Sequence, residues 1–233
     1  MKSTDRVTIC GLPGSGKTTL ARWLASFAEP DLIIIDALGQ YMESFPKECI
    51  RYPKQMDPTF LEGVAKELWA RGNTVLLVEE AEQFMRQGKP LLPYTSGLVR
   101  MGRNWGVGII AVTRRIQELS KEFFGHCQEV YFFKCDLKSR EYIADLLGAE
   151  YVKPHIRRTS NQTGYVINTL PKYAYLRYNL ETEEAEATRL NLKGVRAHTE
   201  IIGKKSEVEK PDESEKVEQP LEEQKSKLWA PKK

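Results

Sequence analysis

The sequence predicts an α/β chain. A mostly parallel central sheet is flanked by helices, short antiparallel strands close its C-terminal edge, and a charged, disordered tail follows. Three observations predict this. Apolar runs of four to six residues alternate with segments of helical spacing, the pattern of a sheet with crossover helices. The runs are apolar throughout instead of alternating with polar residues, as strands buried on both faces require. From about Gly194 onward the chain is rich in Lys, Glu, Pro and Ser with balanced charge, a composition that cannot fill a core.

In order, Val7 to Cys10 reads as a strand and Lys17 to Ala28 as the helix after it. Leu32 to Ile35 is the next buried strand. Asp57-Pro58 opens a helix, with an N-cap followed by proline at the first helical position. Phe60, Leu61, Val64, Leu68 and Trp69 give that helix its apolar face, and it stops near Gly72. Thr74 to Val78 is a strand, Tyr94 to Trp105 is helical, and Val107 to Val112 and Glu129 to Phe133 are strands, making five core strands. Ser139 is expected to cap a helix ending at Gly148. Tyr165 to Ile167, Tyr173 to Tyr178 and Ala187 to Leu192 read as short antiparallel strands. The expected organisation is a domain over residues 1–193 and a tail over 194–233, in which Leu228-Trp229 is the one apolar point.

Composition narrows the function. With 35 Lys and Arg against 32 Asp and Glu, the net charge of +3 makes no global case for nucleic acid or membrane, so any basic surface is local. No apolar run approaches the roughly 20 residues of a membrane span, and MKSTDRVTIC runs straight into a strand instead of a signal peptide. An intracellular, soluble protein is expected. Cys10, Cys49, Cys127 and Cys135 have no disulfide-like spacing and read as free thiols. His126, Cys127 and Cys135 lack the spacing and fourth ligand of a metal site.

Gly11-Leu12-Pro13-Gly14-Ser15-Gly16-Lys17-Thr18 is a complete GxxxxGK[ST] phosphate loop between a strand and a helix. Its fixed positions coincide by chance in roughly one in a hundred chains of this length, before that context is required. Glycines let successive N–H groups converge on phosphate oxygens, and the helix N-terminus adds positive potential. The expected nucleotide-binding residues are Gly11, Pro13, Gly14, Ser15, Gly16, Lys17, Thr18 and Thr19. Lys17 reaches the β- and γ-phosphates, and Thr18 ligates Mg²⁺. The reading is therefore a P-loop NTPase, with ATP as the expected nucleotide.

The strand Thr74 to Val78 ends in Glu79-Glu80, at the sheet end where ligands bind. Glu79 is expected to hold Mg²⁺ through water, and Glu80 to orient and polarise the attacking water. A second carboxylate beside the first speaks for hydrolysis and against a small-molecule kinase.

With these motifs placed, the chain resembles the HerA–FtsK superfamily of DNA-pumping ATPases. LIIIDALGQY, with Asp36, Gly39 and Tyr41, resembles that family's second strand, and VLLVEEAEQF its Walker B strand. The run from Gly102-Arg103 to Thr113-Arg114-Arg115 resembles its Gly-Arg element and following strand, and LPKYAYLRYN its closing segment. The resemblance spans about residues 6–192, and in compactness is most like the genome-packaging ATPases of internal-membrane double-stranded DNA viruses. It implies a homo-oligomeric ring, hexamer or pentamer, in which one subunit's arginine completes its neighbour's site. Arg103 is the candidate, with Arg100 on the same helical face. It also implies double-stranded DNA as a non-sequence-specific partner, capsid or membrane vertex proteins as further partners, and the host cytoplasm or virion as location. Two residues depart from the family pattern. Glu79 stands where Asp is usual, and Arg114 where Gln is usual, so the γ-phosphate sensor falls either to Arg114, as a cation, or to Thr113.

Two basic segments suit phosphate contact, 153–162 (KPHIRRTSNQ) and 83–89 (QFMRQGK). A cellular DNA pump of the same superfamily, a small-molecule P-loop kinase and a nucleotide-dependent switch are the alternatives.

Overall fold

The computed structural model describes residues 4–28, 31–147, 170 and 172–190. Among these, eight strands form one sheet: β1 (Arg6–Cys10), β2 (Asp31–Ile35), β3 (Ile50–Arg51), β4 (Thr74–Val78), β5 (Gly108–Thr113), β6 (Glu129–Phe132), β7 (Ala174–Asn179) and β8 (Ala185–Arg189), in the order β3-β2-β4-β5-β1-β6-β7-β8. The first six strands in that order pair in parallel, while β7 and β8 are antiparallel. The six helices are α1 (Lys17–Ser26), α2 (Pro58–Arg71), α3 (Ala81–Phe84), α4 (Pro93–Met101), α5 (Lys121–Phe124) and α6 (Leu137–Leu147).

Strand alternation sorts the apolar residues onto two faces. Leu20, Ala21, Leu24 and Ala25 of α1 bury against Val7, Ile9, Ile34, Val75, Leu77, Ile110 and Val112. On the other face Leu61, Val64, Ala65 and Leu68 of α2 and Leu98 and Val99 of α4 meet Ile33, Ile35, Leu76, Val78, Ile109 and Ala111. All residues of β1, β4, β5 and β6 are buried, which is why they read as unbroken apolar runs.

Helix ends follow the local chemistry. The Asp57 carboxylate accepts from Thr59 N (2.8 Å) and Phe60 N (3.3 Å), with Pro58 at the first helical position of α2. Leu92 before α4 has no capping side chain. Glu62 of α2 substitutes, accepting from Tyr94 N at 2.8 Å and from Thr95 N at 2.9 Å.

Four expectations are corrected. The helix expected over Tyr94 to Trp105 is two pieces, α4 and a 3₁₀ turn Gly102–Trp105. The turn tightens at Gly102, and Gly106 at φ 72° redirects the chain into β5. The cap of α6 is Asp136, not Ser139: the Asp136 carboxylate accepts from Ser139 N at 2.7 Å. The two-residue β3 was not foreseen, being too short to carry a period. The last strand spans Ala185–Arg189 instead of Ala187 to Leu192. The 153–162 segment, the strand expected at 165–167, Gly148 and the 194–233 tail lie outside the described residues.

All four cysteines are free thiols, and no described helix is long and apolar enough to cross a membrane.

Candidate active site

β1 feeds the phosphate loop and α1 leads away from it. A Cβ on Gly11 would stand 2.6 Å from Phe133 Cβ. Gly16, at φ 117°, would place one 2.8 Å from Tyr173 Cδ1. Glycine is required at both places, because the loop is sandwiched between the end of β6 and the start of β7. Tyr173 N donates to Ser15 O at 3.0 Å and closes that contact. Gly16 is the N-cap of α1 and offers no side chain, and the first turn carries no acidic residue. The leading N–H groups of α1 therefore have no intrahelical acceptor and face outward with the positive end of the helix dipole. Ser15 Oγ is buried without a partner. The Lys17 ammonium is buried and donates to Leu12 O at 3.2 Å; burial lowers its pKa, while Glu79 and Glu80 oppose that shift. A loop of unclaimed donors around a desolvated cation fits a polyphosphate.

The strand order brings the acidic pair to this loop. β5 lies between β1 and β4, so the ends of all three strands converge: Cys10 pairs with Thr113, and Val78 with Ala111. Glu79, directly after β4, is buried. Its Oε1 lies 3.1 Å from Thr18 Oγ1, and its Oε2 accepts from Tyr41 Oη at 3.0 Å. Burial raises the Glu79 pKa to about 7, against the hydrogen bonds from Tyr41 and Thr18 and the charge of Lys17. Burial also raises the Tyr41 phenol, which stays a donor. A buried carboxylate and a hydroxyl form an oxygen donor pair, and no cluster of three or more His, Cys, Asp or Glu suited to a metal exists among the described residues. That pair fits Mg²⁺, a hard ion commonly held by one or two protein oxygens together with substrate phosphates and water.

Glu80 sits at φ 53°, ψ 45°, a left-handed conformation that costs a non-glycine residue about 1–3 kcal/mol. Its carboxylate is held by Arg114, with Nε at 2.8 Å and Nη2 at 2.7 Å from Oε1. Thr113, the last residue of β5, is buried. Glu82 is also buried and accepts from Arg114 N at 3.3 Å, fixing the start of that arginine.

Asp36 organises the remaining wall. It is buried after β2 and accepts from Leu38 N at 3.3 Å, Gln40 N at 3.0 Å and Tyr41 N at 2.9 Å. The loop so wound places Tyr41 on Glu79 and the Gln40 amide 2.9 Å from Thr18 Oγ1. The oxygen and nitrogen of that amide are interchangeable in shape. With Nε2 facing Thr18, Gln40 donates to the hydroxyl, whose single proton then serves Glu79. Arg22 donates to Gln40 O and lies over the Tyr41 ring, 5.7 Å from its centroid. Asp36→Ala is expected to cost about 1–3 kcal/mol in urea unfolding, because the buried Tyr41 N–H and two part-buried N–H groups lose their acceptor.

The other two arginines lie elsewhere. Arg100 pairs with Glu122 at 2.8 Å, and Arg103 is exposed in the 3₁₀ turn before β5. With Arg6 they line a cavity of about 550 Å³ that also borders Gln128 and Leu180. Arg6 begins β1, so this cavity and the phosphate loop lie at opposite ends of the strand, separated by roughly 13 Å of chain rise. Neither arginine reaches its own subunit's loop. The 83–89 segment lies beside the loop end of the sheet, where Arg86 bridges to Leu119 and Arg86 and Lys89 are exposed.

Lys17, Thr18, Glu79, Glu80, Thr113 and Arg114 thus converge, while Arg100 and Arg103 stand apart. Gln40, Arg22, Glu82 and Tyr173 were not singled out from the sequence. Gln40 lies four residues after Asp36, the acidic residue that follows a buried strand, and that placement was the available signal for it.

A family profile described as ATPase family associated with various cellular activities (AAA) matches residues 7–135. No curated protein matches the chain. The fold is similar to the genome packaging NTPase B204 of Sulfolobus turreted icosahedral virus 2, solved with ATP-gammaS: 19% identity, TM-score 0.66, covering 81% of this chain and 98% of that one. B204, the DNA-packaging ATPase of Sulfolobus turreted icosahedral virus, gives 17% identity and a TM-score of 0.64 over 81% of this chain and 98% of that one. Thermomonospora curvata EccC (ATPases 2 and 3) gives 12% identity and 0.56 over 80% of this chain and 36% of that one. At these identities the similarity establishes a P-loop ATPase fold.

Proposed function

The chain belongs to the ATPase family associated with various cellular activities (AAA) and is an ATPase, and from that premise we propose that it works as a ring motor moving double-stranded DNA, packaging a viral genome. The observation that carries the ring is the separation of Arg100 and Arg103 from their own phosphate loop by the length of the sheet. A head-to-tail ring joins two unlike faces. It can seat one subunit's Arg103 at the next subunit's γ-phosphate, where a cation stabilises transition-state charge. The DNA reading draws on the shared fold with packaging NTPases and on the basic segments 83–89 and 153–162.

In this assignment the loop from Gly11 to Thr19 cradles the triphosphate, and Lys17 neutralises its β- and γ-phosphates. Thr18 and Glu79 would hold Mg²⁺, which would supply charge neutralisation on the phosphate oxygens. Tyr41, Gln40 and Asp36 keep that pair aligned. Glu80 orients the water and takes its proton. Residues 1–193 form the motor, and residues 194–233 a tail that docks on a capsid or membrane vertex partner. The motor acts in the host cytoplasm or on the virion.

The test is the steady-state ATPase rate with and without long double-stranded DNA. Stimulation of severalfold that fades between about 50 and 200 mM salt is expected, since non-specific phosphate contacts are salt-sensitive. A rate indifferent to DNA at every salt concentration would overturn translocation and leave the ATPase standing.

A further inference from the structure

The flank of the phosphate loop opposite the acidic pair carries an aromatic residue that the phosphate chemistry does not use. β1 lies between β5, on the Glu79-Glu80 side, and β6, whose other neighbour is the antiparallel β7. Tyr173 immediately precedes β7, so it stands at the loop end of the sheet. Its backbone is pinned on both sides: Tyr173 N donates to Ser15 O at 3.0 Å, and Tyr173 O accepts from Leu190 N at 2.9 Å. Between those bonds it is held at φ 69°, in the left-handed region. A non-glycine residue persists there only where its surroundings over-determine it, and such residues gather at ligand sites.

The pinned backbone sets the ring against the loop, with Tyr173 Cδ1 over the space that Gly16 leaves by having no side chain. One part of the half-buried ring packs on the apolar cluster that α1 forms with the sheet. Over the ring, 5.0 Å from its centroid, lies Nζ of Lys172, an exposed residue. A flexible, solvated lysine there marks a ring face that is turned to solvent and not locked into the core.

We propose that Tyr173 is the platform for the nucleobase of the bound nucleotide, which displaces the Lys172 ammonium and stacks on the ring. The inference rests on the assignment of Lys17 and Thr18 to the phosphates. A linear triphosphate whose terminal phosphate lies beside Lys17 and Glu79 leads its nucleoside end toward the opposite flank, where the ring stands. Stacking of a base on an aromatic ring is stronger than a solvent-exposed cation–π contact, so the exchange favours the base. The ring is already fixed by its backbone, so little conformational freedom is lost when the base arrives.

The test compares two ligands that share the phosphates and differ in the base, ATP-gammaS and inorganic tripolyphosphate, by calorimetry on the full chain. Tyr173→Leu keeps apolar bulk against Gly16 and removes the ring. It is expected to weaken ATP-gammaS roughly five- to hundredfold, the equivalent of one base stack, and to leave tripolyphosphate unchanged. Tyr173→Phe, which keeps the ring, should bind both as the wild type does. Equal loss of both ligands in Tyr173→Leu would make the ring a mere support of the loop, and no loss of either would place the base elsewhere; each overturns the platform. The wild-type protein gives an independent reading through photolabelling with ATP that carries an azide on its base. Label on the peptide containing Tyr173 is expected, and label confined to other segments overturns the proposal. Wild-type protein that binds neither ligand would remove the phosphate-loop assignment itself, whereas failure of the variant series alone removes only the platform.

Discussion

Replacing Lys17 with alanine is expected to cut ATP turnover severely and to remove the thermal stabilisation expected from ATP binding to the wild-type protein. The ammonium is buried, and among the described residues its hydrogen-bond acceptor is Leu12 O at 3.2 Å. Its compensating charges, Glu79 and Glu80, act at longer range, which is why burial prevails in lowering its pKa. A cation so desolvated lacks a strong partner until a polyphosphate arrives. Losing two charge-assisted contacts to the phosphates, each about 1.5–3 kcal/mol, lowers kcat/KM by roughly two to four orders of magnitude. The nucleotide-free protein should not lose stability, because the substitution removes a desolvated charge and no strong ion pair. Equal melting temperatures without nucleotide, with the ATP-induced shift lost, separate this from misfolding. A variant with normal ATPase activity would remove the phosphate-loop assignment. Lys17→Ala subunits also provide the test of action between subunits. Mixed with Arg103→Ala subunits, inactive alone if Arg103 acts in trans, they should restore part of the hydrolysis. Only where the loop of an Arg103→Ala subunit faces the arginine of a Lys17→Ala neighbour, at most every second interface of the ring, do an intact loop and an intact arginine meet. Absence of rescue at every mixing ratio would place Arg103 outside the site.

What could be read from the sequence, and what could not, divides along a physical line. The phosphate loop and Glu79-Glu80 were legible because their chemistry is written in consecutive residues, and the buried parallel strands because they lack polar alternation. Relations created by the fold were not legible. Glu80 and Arg114 are 34 positions apart and meet because β4 and β5 are neighbours in the sheet. Asp36 acts through three backbone N–H groups of a loop whose winding no side-chain pattern specifies. Ser139 was read as the cap of α6, whereas Asp136 caps it and the helix begins two residues earlier, at Leu137; Asp and Ser are equally good caps, so residue type did not place the start. Gly102 broke the expected helix because its tightened turn answers to the packing of Trp105 on Trp69, 4.4 Å between ring centroids. Arg100 and Arg103 were legible as candidates. Their distance from their own loop is a property of the sheet, and it gives the ring reading its support.

Glu80→Gln is expected to bind ATP and hold it unhydrolysed. The substitution keeps the shape and the left-handed backbone at φ 53° but removes the proton acceptor and the charge. A positioned general base contributes typically about 10²–10⁴ in rate, so kcat should fall by that factor while ATP affinity is kept or slightly improved. Loss of the ion pair to Arg114 changes stability by no more than about 1 kcal/mol, since that arginine is 48% exposed. Single-turnover measurement of ATP cleavage, beside equilibrium binding of ATP-gammaS, separates the two effects. Slow cleavage with intact binding puts the defect in water activation; weakened binding would instead make Glu80 part of the cradle. The contrast with Glu79 sharpens the assignment. Glu79 is buried and tied to Thr18 and Tyr41, which suits the metal side of the site, whereas Glu80 is held on the other flank by the half-exposed Arg114. In the proposed assignment the carboxylate that accepts the proton is the one held by a half-exposed arginine, and the carboxylate that holds the metal is the one buried among fixed donors.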